Sequence, residues 1–276
     1  MNTASFQYIA DFLRRQSGLI LEDSKRYLLE TRLTPLLKQH ELRDLDALAE
    51  KVRSDEQGGL AVDLTQAMTT NETLFFRDKY PFDALRQMIL PQLAERVAPH
   101  EKIHIWSAAC SKGQEPYSIA MTAVQSMPQV NRRVRITATD IDHKVLADAQ
   151  AGLYSQMEVQ RGLPVQMLVR HFEQVREQWR IRDEMRSLVS FRRANLVSDK
   201  LAYELRPDGV FHVVFCRNVL IYFSPEERAR VIDRIARMMA PDGYLIMGAA
   251  ENVSGAHSRW EGLTFEGRRI WQLKAC

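Results

Sequence analysis

Glycine and cysteine are both scarce here, 12 and three respectively in 276 residues. Cys110, Cys216 and Cys276 are odd in number, far apart and without metal-ligand spacing, so neither a disulfide framework nor a metal site is expected. A reduced, cytoplasmic protein is the simplest expectation. Long apolar runs are missing too; none approaches the roughly 18–20 residues of a membrane-crossing helix. The opening stretch MNTASFQYIADFLRRQ carries Asp11 and Arg14 inside an amphipathic pattern, so no secretory core is expected. Neither sign of charge prevails: 38 Lys and Arg face 35 Asp and Glu, a net charge of +3. That balance argues against generic nucleic-acid binding. What remains is a chain 45% hydrophobic and 26% charged, ordinary for a folded protein of one or two domains.

Residues 1–80 carry helical spacing throughout. Phe6, Ile9 and Leu13 form one apolar stripe, and Leu28, Leu29, Leu33, Leu36 and Leu37 a second within 27–40. Further helices are expected over 45–54, with Asp44 as N-cap, and over 59–68. After Pro91 the pattern changes. Residues 102–127 read as a short strand, a loop and a helix; further strands are expected at 133–142, 211–223, 243–251 and 265–274, alternating with helices over 143–152 and 225–241. Such alternation implies a parallel, doubly wound sheet. With no clear helix before it, the last strand should close an antiparallel hairpin with its predecessor. Residues 155–193 interrupt the alternation. A helical stretch at 164–172 precedes strand-like segments at 178–182 and 187–194, which suggests a small inserted antiparallel subdomain. The insert holds eight Arg and no Lys, either a basic partner surface or a solvated face.

Four segments carry chemistry. SAACSKGQEP (107–116) is a small-residue loop between strand and helix, where ligands of doubly wound sheets bind. Its single glycine, Gly113, makes it a poor pyrophosphate cradle. Glu115 would repel phosphate and favour a cationic ligand, or it simply complements the helix dipole. Asp140 ends the strand RVRITATD, placed either to accept from ribose hydroxyls or to cap the next helix with Asp142. Arg217 and Asn218 follow the apolar run VFHVVFC, and Tyr222 adds a ring and a hydroxyl, for a cleft or for the core. In TTNETLFFRDKYPF (69–82), Asn71, Thr73 and Arg77 flank Leu74, Phe75 and Phe76, as a lid or as an interdomain helix.

In order along the chain, NETLFFRD, WSAACSKGQEPYSIAM, ATDID, ANL and CRNVLIYF resemble the CheR family, S-adenosylmethionine-dependent methyltransferases that esterify glutamates of bacterial chemoreceptors. The resemblance covers nearly the whole chain. It implies an α/β fold: a helical N-terminal domain over 1–80, then a class I methyltransferase doubly wound sheet over 81–276 with an inserted small antiparallel β-subdomain at about 155–193. It implies S-adenosylmethionine as cofactor, and Arg77 and Tyr222 at the methyl-transfer site. Asn71, Thr73, Arg77, Glu115, Asp140, Asn195, Leu196, Arg217 and Asn218 would line the cofactor pocket, Asp140 on the ribose and Asn195 with Leu196 by the adenine. The other reading of the same motifs is a non-catalytic module that senses S-adenosylmethionine.

The sequence also departs from the family. Ala109, Lys112 and Gln114 stand where Gly, Thr and Glu are common, Lys112 adding a charge near the site. Members that dock a C-terminal receptor pentapeptide carry a glycine-containing hairpin insertion in the β-subdomain. EQWRIRDEMRSLVSF has none, so no pentapeptide docking is expected. The expected partners are glutamate-rich receptor methylation helices, met by a basic face at Lys25, Arg26 and Arg32 unless those residues are merely solvated.

Overall fold

Apolar stripes and caps set the first helices. Helix α1 (Thr3–Ser17) starts at Asn2, whose side chain accepts the Ser5 N–H, and buries Phe6, Ile9 and Leu13. Helices α2 (Arg26–Gln39), α3 (Leu45–Ser54) and α4 (Gly59–Met68) follow. Asp44 caps α3 as expected, accepting the Ala47 N–H at 2.8 Å. Leu29, Leu33, Leu48 and Leu64 complete the core of this bundle.

The second core belongs to a sheet. The chain continues through α5 (Tyr80–Ala84), a π-helical turn (Leu85–Ile89), α6 (Leu90–Arg96), β1 (Ile103–Ala108), α7 (Gln114–Ser126), α8 (Val130–Arg133), β2 (Val134–Asp140) and α9 (His143–Ala151). Then come β3 (Leu153–Ser155), α10 (Gln156–Gln160), α11 (Val165–His171), β4 (Phe172–Val175), β5 (Gln178–Ile181), α12 (Asp183–Arg186), β6 (Val189–Arg193) and α13 (Leu201–Leu205). Last are β7 (Phe211–Cys216), α14 (Pro225–Arg237), β8 (Met239–Met247), β9 (Trp260–Phe265) and β10 (Arg268–Leu273). This computed structural model describes residues 1–127, 129–253 and 257–275. The chain forms two units, Met1–Thr70 with Tyr222–Glu227, and Asn71–Ile221 with the chain from Arg228.

The main sheet has seven strands in the order β6-β2-β1-β7-β8-β10-β9. Its first five are parallel, and strand order reverses at β1/β7, where Ala108 sits beside Cys216. Strand β10 runs antiparallel to β8, as expected for the C-terminal edge, and β9, absent from the sequence reading, adds an outer antiparallel strand.

The inserted subdomain exists, but with different strands. Its three-stranded antiparallel sheet is β3-β5-β4. The segment 187–194 is no hairpin partner of 178–182. Its strand β6 instead pairs in parallel with β2, from Ile136 beside Val189 to Asp140 beside Arg193, and DEMR forms the helical turn α12. Period-two alternation marks a strand without naming its neighbour, and proximity in sequence suggested the wrong one. Of the insert's arginines, Arg192 faces the fully buried Asp208 carboxylate at 3.2 Å, alongside Arg135 at 2.9 Å.

Candidate functional site

The loop after β1 is folded by alternating backbone hands. Ala109 (φ 64°), Ser111 (φ 49°) and Gly113 (φ 89°) are left-handed, a pattern that turns successive N–H groups inward. Cys110 N–H ties the loop to Thr139 O at 2.9 Å. Ser111 N–H donates to Asp140 Oδ2 at 2.8 Å, and Asp142 N–H to Asp140 Oδ1 at 3.0 Å. Asp140 is thus pinned and 7% exposed. Burial raises its carboxyl above the ordinary value, against the pull of the backbone N–H bonds. With about four acceptor sites on the carboxylate, capacity remains for a hydroxyl donor.

The expectation that Asp140 either serves a ligand or caps α9 with Asp142 resolves into a division of labour. Asp142 is the cap, accepting Lys144 N–H at 2.8 Å, while Asp140 holds the loop. Asn71 is drawn into the same knot. Its Nδ2 donates to Asp142 Oδ2 at 3.0 Å, and its carbonyl accepts Ser111 Oγ at 2.9 Å. Lys112 leaves the loop: its ammonium lies 3.6 Å from Glu158 of α10, so its charge is already paired.

A second network crosses the switch point. Glu115, in the first turn of α7, accepts Ser107 Oγ at 2.7 Å and Arg217 Nη1 at 3.0 Å. The Arg217 side chain is 1% exposed, and its Nη2 also donates to Asp78 Oδ2 at 2.7 Å and Arg77 O at 2.9 Å. Burial pushes the Glu115 carboxyl up, with Arg217 the main opposing charge. Glu115 therefore attracts no cationic ligand by free charge; Arg217 neutralises it. Arg217 Nε and Gln114 Oε1 are buried without a hydrogen-bond partner among the described residues.

The segment 71–79 is neither a helix nor a loose lid. Phe75 is fully buried, edge-on to Tyr154 and Phe172 at 5.0 and 5.6 Å. Phe76 N–H donates to Ser118 Oγ of α7 at 3.0 Å. A Cβ at Gly162 would collide with Phe75 O, so only glycine lets the chain pass there. Arg77 and Thr73 remain half-buried, Arg77 bonding Glu72 O at 3.2 Å.

Past β6, half-buried Asn195 and buried Leu196 follow Ala194, whose N–H donates to Asp140 O at 3.0 Å. Asn218 follows β7 in the left-handed region (φ 58°). The carboxyl ends of β1, β2, β6 and β7 thus gather the 109–113 loop, Asp140, Asn195 with Leu196, and Arg217 with Asn218. These residues fit an adenosyl ligand: a pinned acceptor for ribose, buried polar atoms still unpartnered, and an acid rather than a phosphate cradle at the α7 N-terminus. A separate polar cavity of about 340 Å³ is bordered by Asp78, Lys79, Tyr80, Asp83 and Arg268.

One residue escaped the sequence reading. Glu251, four residues past the end of β8, accepts N–H groups from Gly248 and from Asn218 through Ile221. Glu251 ends the segment 243–251 that the sequence marks as a strand, as Asp140 ends 133–140, so the same strand-end rule could have singled it out.

Tyr222 stands in the other unit, half-buried, its carbonyl accepting Ile20 N–H at 3.0 Å. The basic cluster of that unit is largely engaged. Arg32 donates to Met68 O, Thr69 O and Thr70 Oγ1, at 2.7, 3.1 and 3.0 Å, and so caps the end of α4. Arg26 stacks on the Phe6 ring at 4.6 Å. Lys25 is exposed, 3.6 Å from Glu22.

Comparison with known families gives two adjacent matches. Residues 4–69 match the CheR methyltransferase all-alpha domain, and residues 71–267 the CheR methyltransferase SAM binding domain. A chemotaxis protein methyltransferase of Vibrio parahaemolyticus is 41% identical over 95% of this chain and 94% of its own. Chemotaxis protein methyltransferase 1 of Pseudomonas aeruginosa is 38% identical over 94% and 93%. The chemotaxis protein methyltransferase of Escherichia coli is 32% identical over 99% and 92%.

Proposed function

The chain belongs to the CheR methyltransferase family, and we propose that it esterifies glutamate side chains of chemoreceptors with the methyl group of S-adenosylmethionine. Methylation in chemotaxis with this cofactor follows from the family; the glutamate acceptor is the reading advanced here. The observation that supports cofactor binding here is the pinned Asp140 carboxylate beside the glycine-poor 109–113 loop, at the switch point of the sheet; the glutamate acceptor rests on the family resemblance. Methyltransferase relatives along nearly the full chain favour an enzyme over a sensing module.

When bound, S-adenosylmethionine would supply a sulfonium methyl for transfer to a carboxylate oxygen, with the S–CH₃ electron pair left on sulfur. A glutamate acceptor, with an ordinary pKa of about 4.3, is already ionised at neutral pH. The protein therefore has no proton to remove, and its task is alignment, which can supply up to about 7–11 kcal/mol. Asp140 would hold the ribose. Asn71, through Asp142 and Ser111, fixes the loop that surrounds it. The Glu115–Arg217–Asp78 network fixes the ends of β1 and β7. Arg77 and Tyr222 orient the acceptor carboxylate and the methyl donor. Arg77 should orient without fully neutralising the carboxylate, since a tight pair would blunt its nucleophilicity.

The acceptor is recognised in part through the exposed Lys25 side of the helical unit. No receptor pentapeptide is needed, in keeping with a β4–β5 turn made of Arg176 and Glu177 alone. The protein works in the cytoplasm, where receptor methylation helices lie.

Peptide mapping by mass spectrometry after reaction with receptor cytoplasmic fragments tests the reading. A methyl increment on glutamate-containing peptides is expected, and one confined to lysine, cysteine or a chain terminus would contradict it. At saturating cofactor, Arg77→Ala and Tyr222→Phe should each lower kcat by about tenfold or more. Near wild-type turnover in both would remove them from the transfer step.

A further inference from the structure

Glu251 has no assigned part in the scheme above, yet its carboxylate is saturated by backbone. Oε2 accepts Asn218 N–H at 2.7 Å and Gly248 N–H at 2.8 Å. Oε1 accepts Val219, Leu220 and Ile221 N–H at 3.0, 2.8 and 3.3 Å. A carboxylate offers about four lone-pair sites, and here all face the main chain. Four consecutive N–H groups aimed at one point curl the chain sharply after β7. Asn218 takes a left-handed φ of 58°, and Leu220–Tyr222 close into a 3₁₀ turn. Without an anion at their focus those N–H dipoles would repel one another, and a charged acceptor satisfies them better than a neutral one.

The other side of the cage is Gly248. A Cβ there would lie 2.6 Å from Glu251 Oε2 and 3.0 Å from Asn218 Nδ2. Glycine is required by this close approach. Glu251 N–H in turn donates to Gly248 O at 2.9 Å, closing the tight turn that aims the carboxylate.

We propose that Glu251 is a positioning residue for methyl transfer. By fixing the 218–221 turn it sets Arg217 and Asn218 at one end and the point from which the chain runs on to Tyr222 at the other. The proposal rests on the reading of Arg217, Asn218 and Tyr222 as site residues. Glu251 itself touches no reacting atom; it acts through the turn.

The test uses Glu251→Gln and Gly248→Ala in the full-length chain. Glutamine keeps the size but offers one oxygen, and its NH₂ faces donors. Four readouts are compared with wild type: melting temperature, S-adenosylhomocysteine affinity by calorimetry, kcat with a receptor fragment at saturating cofactor, and amide hydrogen exchange at 218–221. In Glu251→Gln, exchange at these amides should quicken and kcat fall, each by about tenfold. The melting temperature should stay within a few degrees, and S-adenosylhomocysteine affinity should weaken by less than kcat falls, because Arg217 and Asn218 shift while Asp140 and its loop are untouched. Gly248→Ala should move the same quantities in the same direction, and serves alone if Glu251→Gln does not fold. The double variant Glu251→Gln/Tyr222→Phe should be no slower than the worse single variant by more than about twofold, since both act at one turn.

A kcat within about twofold of wild type in both folded variants, or a loss of turnover that only tracks loss of folded protein, overturns the proposal. Failure of the underlying reading looks different. If Tyr222→Phe alone is silent while Glu251→Gln lowers kcat, the assignment of Tyr222 falls and the positioning role stands through Arg217 and Asn218. If the wild-type chain methylates no receptor fragment, the functional reading falls and takes the proposal with it.

Discussion

Asp140 shows how much one side chain is asked to do. Its oxygens hold the 109–113 loop through Ser111 and the start of α9 through Asp142, and burial lifts its pKa. A carboxyl raised in the folded state favours folding most when protonated, and that contribution is lost as pH rises through the raised value. Ribose binding has the opposite sign, because hydroxyl donors prefer the ionised form. S-Adenosylhomocysteine affinity should therefore weaken as pH falls through the raised Asp140 value, at higher pH than a free carboxylate would dictate. Calorimetry over a pH series checks this. Asp140→Asn should bind roughly ten- to a hundredfold more weakly at neutral pH, the worth of a hydrogen bond to a charge, and should lose this part of the pH dependence. Arg217 is the second such residue. Arg217→Met strands Glu115 as a buried, unpaired charge, a defect of about 3–5 kcal/mol. Urea unfolding should show most of that loss restored in Arg217→Met/Glu115→Gln, since the orphan charge is then gone. Equal losses in the single and double variants would mean that the pair is not coupled.

Elements differ in how openly the sequence shows them. The four N-terminal helices were legible because stripes such as Phe6, Ile9 and Leu13, and the cap Asp44, are local signals. The parallel strands and the 109–113 loop were legible for the same reason. The pairing of β6 with β2 was not, because alternation at 189–193 is silent about the neighbour. Glu251 could have been singled out as an acid at a strand's end, but the cage around it could not, because its partners are main-chain N–H groups, which no sequence pattern displays. Lys25, Arg26 and Arg32 are engaged unequally: Arg32 is a C-cap for α4, Arg26 stacks on Phe6, and Lys25, just ahead of α2, is exposed beside Glu22. Arg32→Glu should accordingly lower the stability of the helical unit by about 1–3 kcal/mol, the cost of stranding hydrogen-bonding groups. Lys25→Glu should leave the melting temperature unchanged and slow receptor methylation without altering S-adenosylhomocysteine affinity. Thermal melts, calorimetry and receptor methylation rates separate the two.

For the molecule as a whole, the division into a helical unit and a sheet unit follows the two family matches, 4–69 and 71–267. Tyr222–Glu227 is the exception, a segment late in the chain that joins the helical unit. In the chain it follows directly on the turn held by Glu251. On the proposed reading, a carboxylate acceptor requires no general base, which fits a site built from positioning contacts. The most direct measurement is transfer of labelled methyl from S-adenosylmethionine to chemoreceptor cytoplasmic fragments, followed by mild alkali. Label on the receptor that is released as methanol is expected, the behaviour of a carboxyl ester. Receptor label that resists alkali, or no label from a chain that binds S-adenosylhomocysteine, would contradict a glutamate methyltransferase.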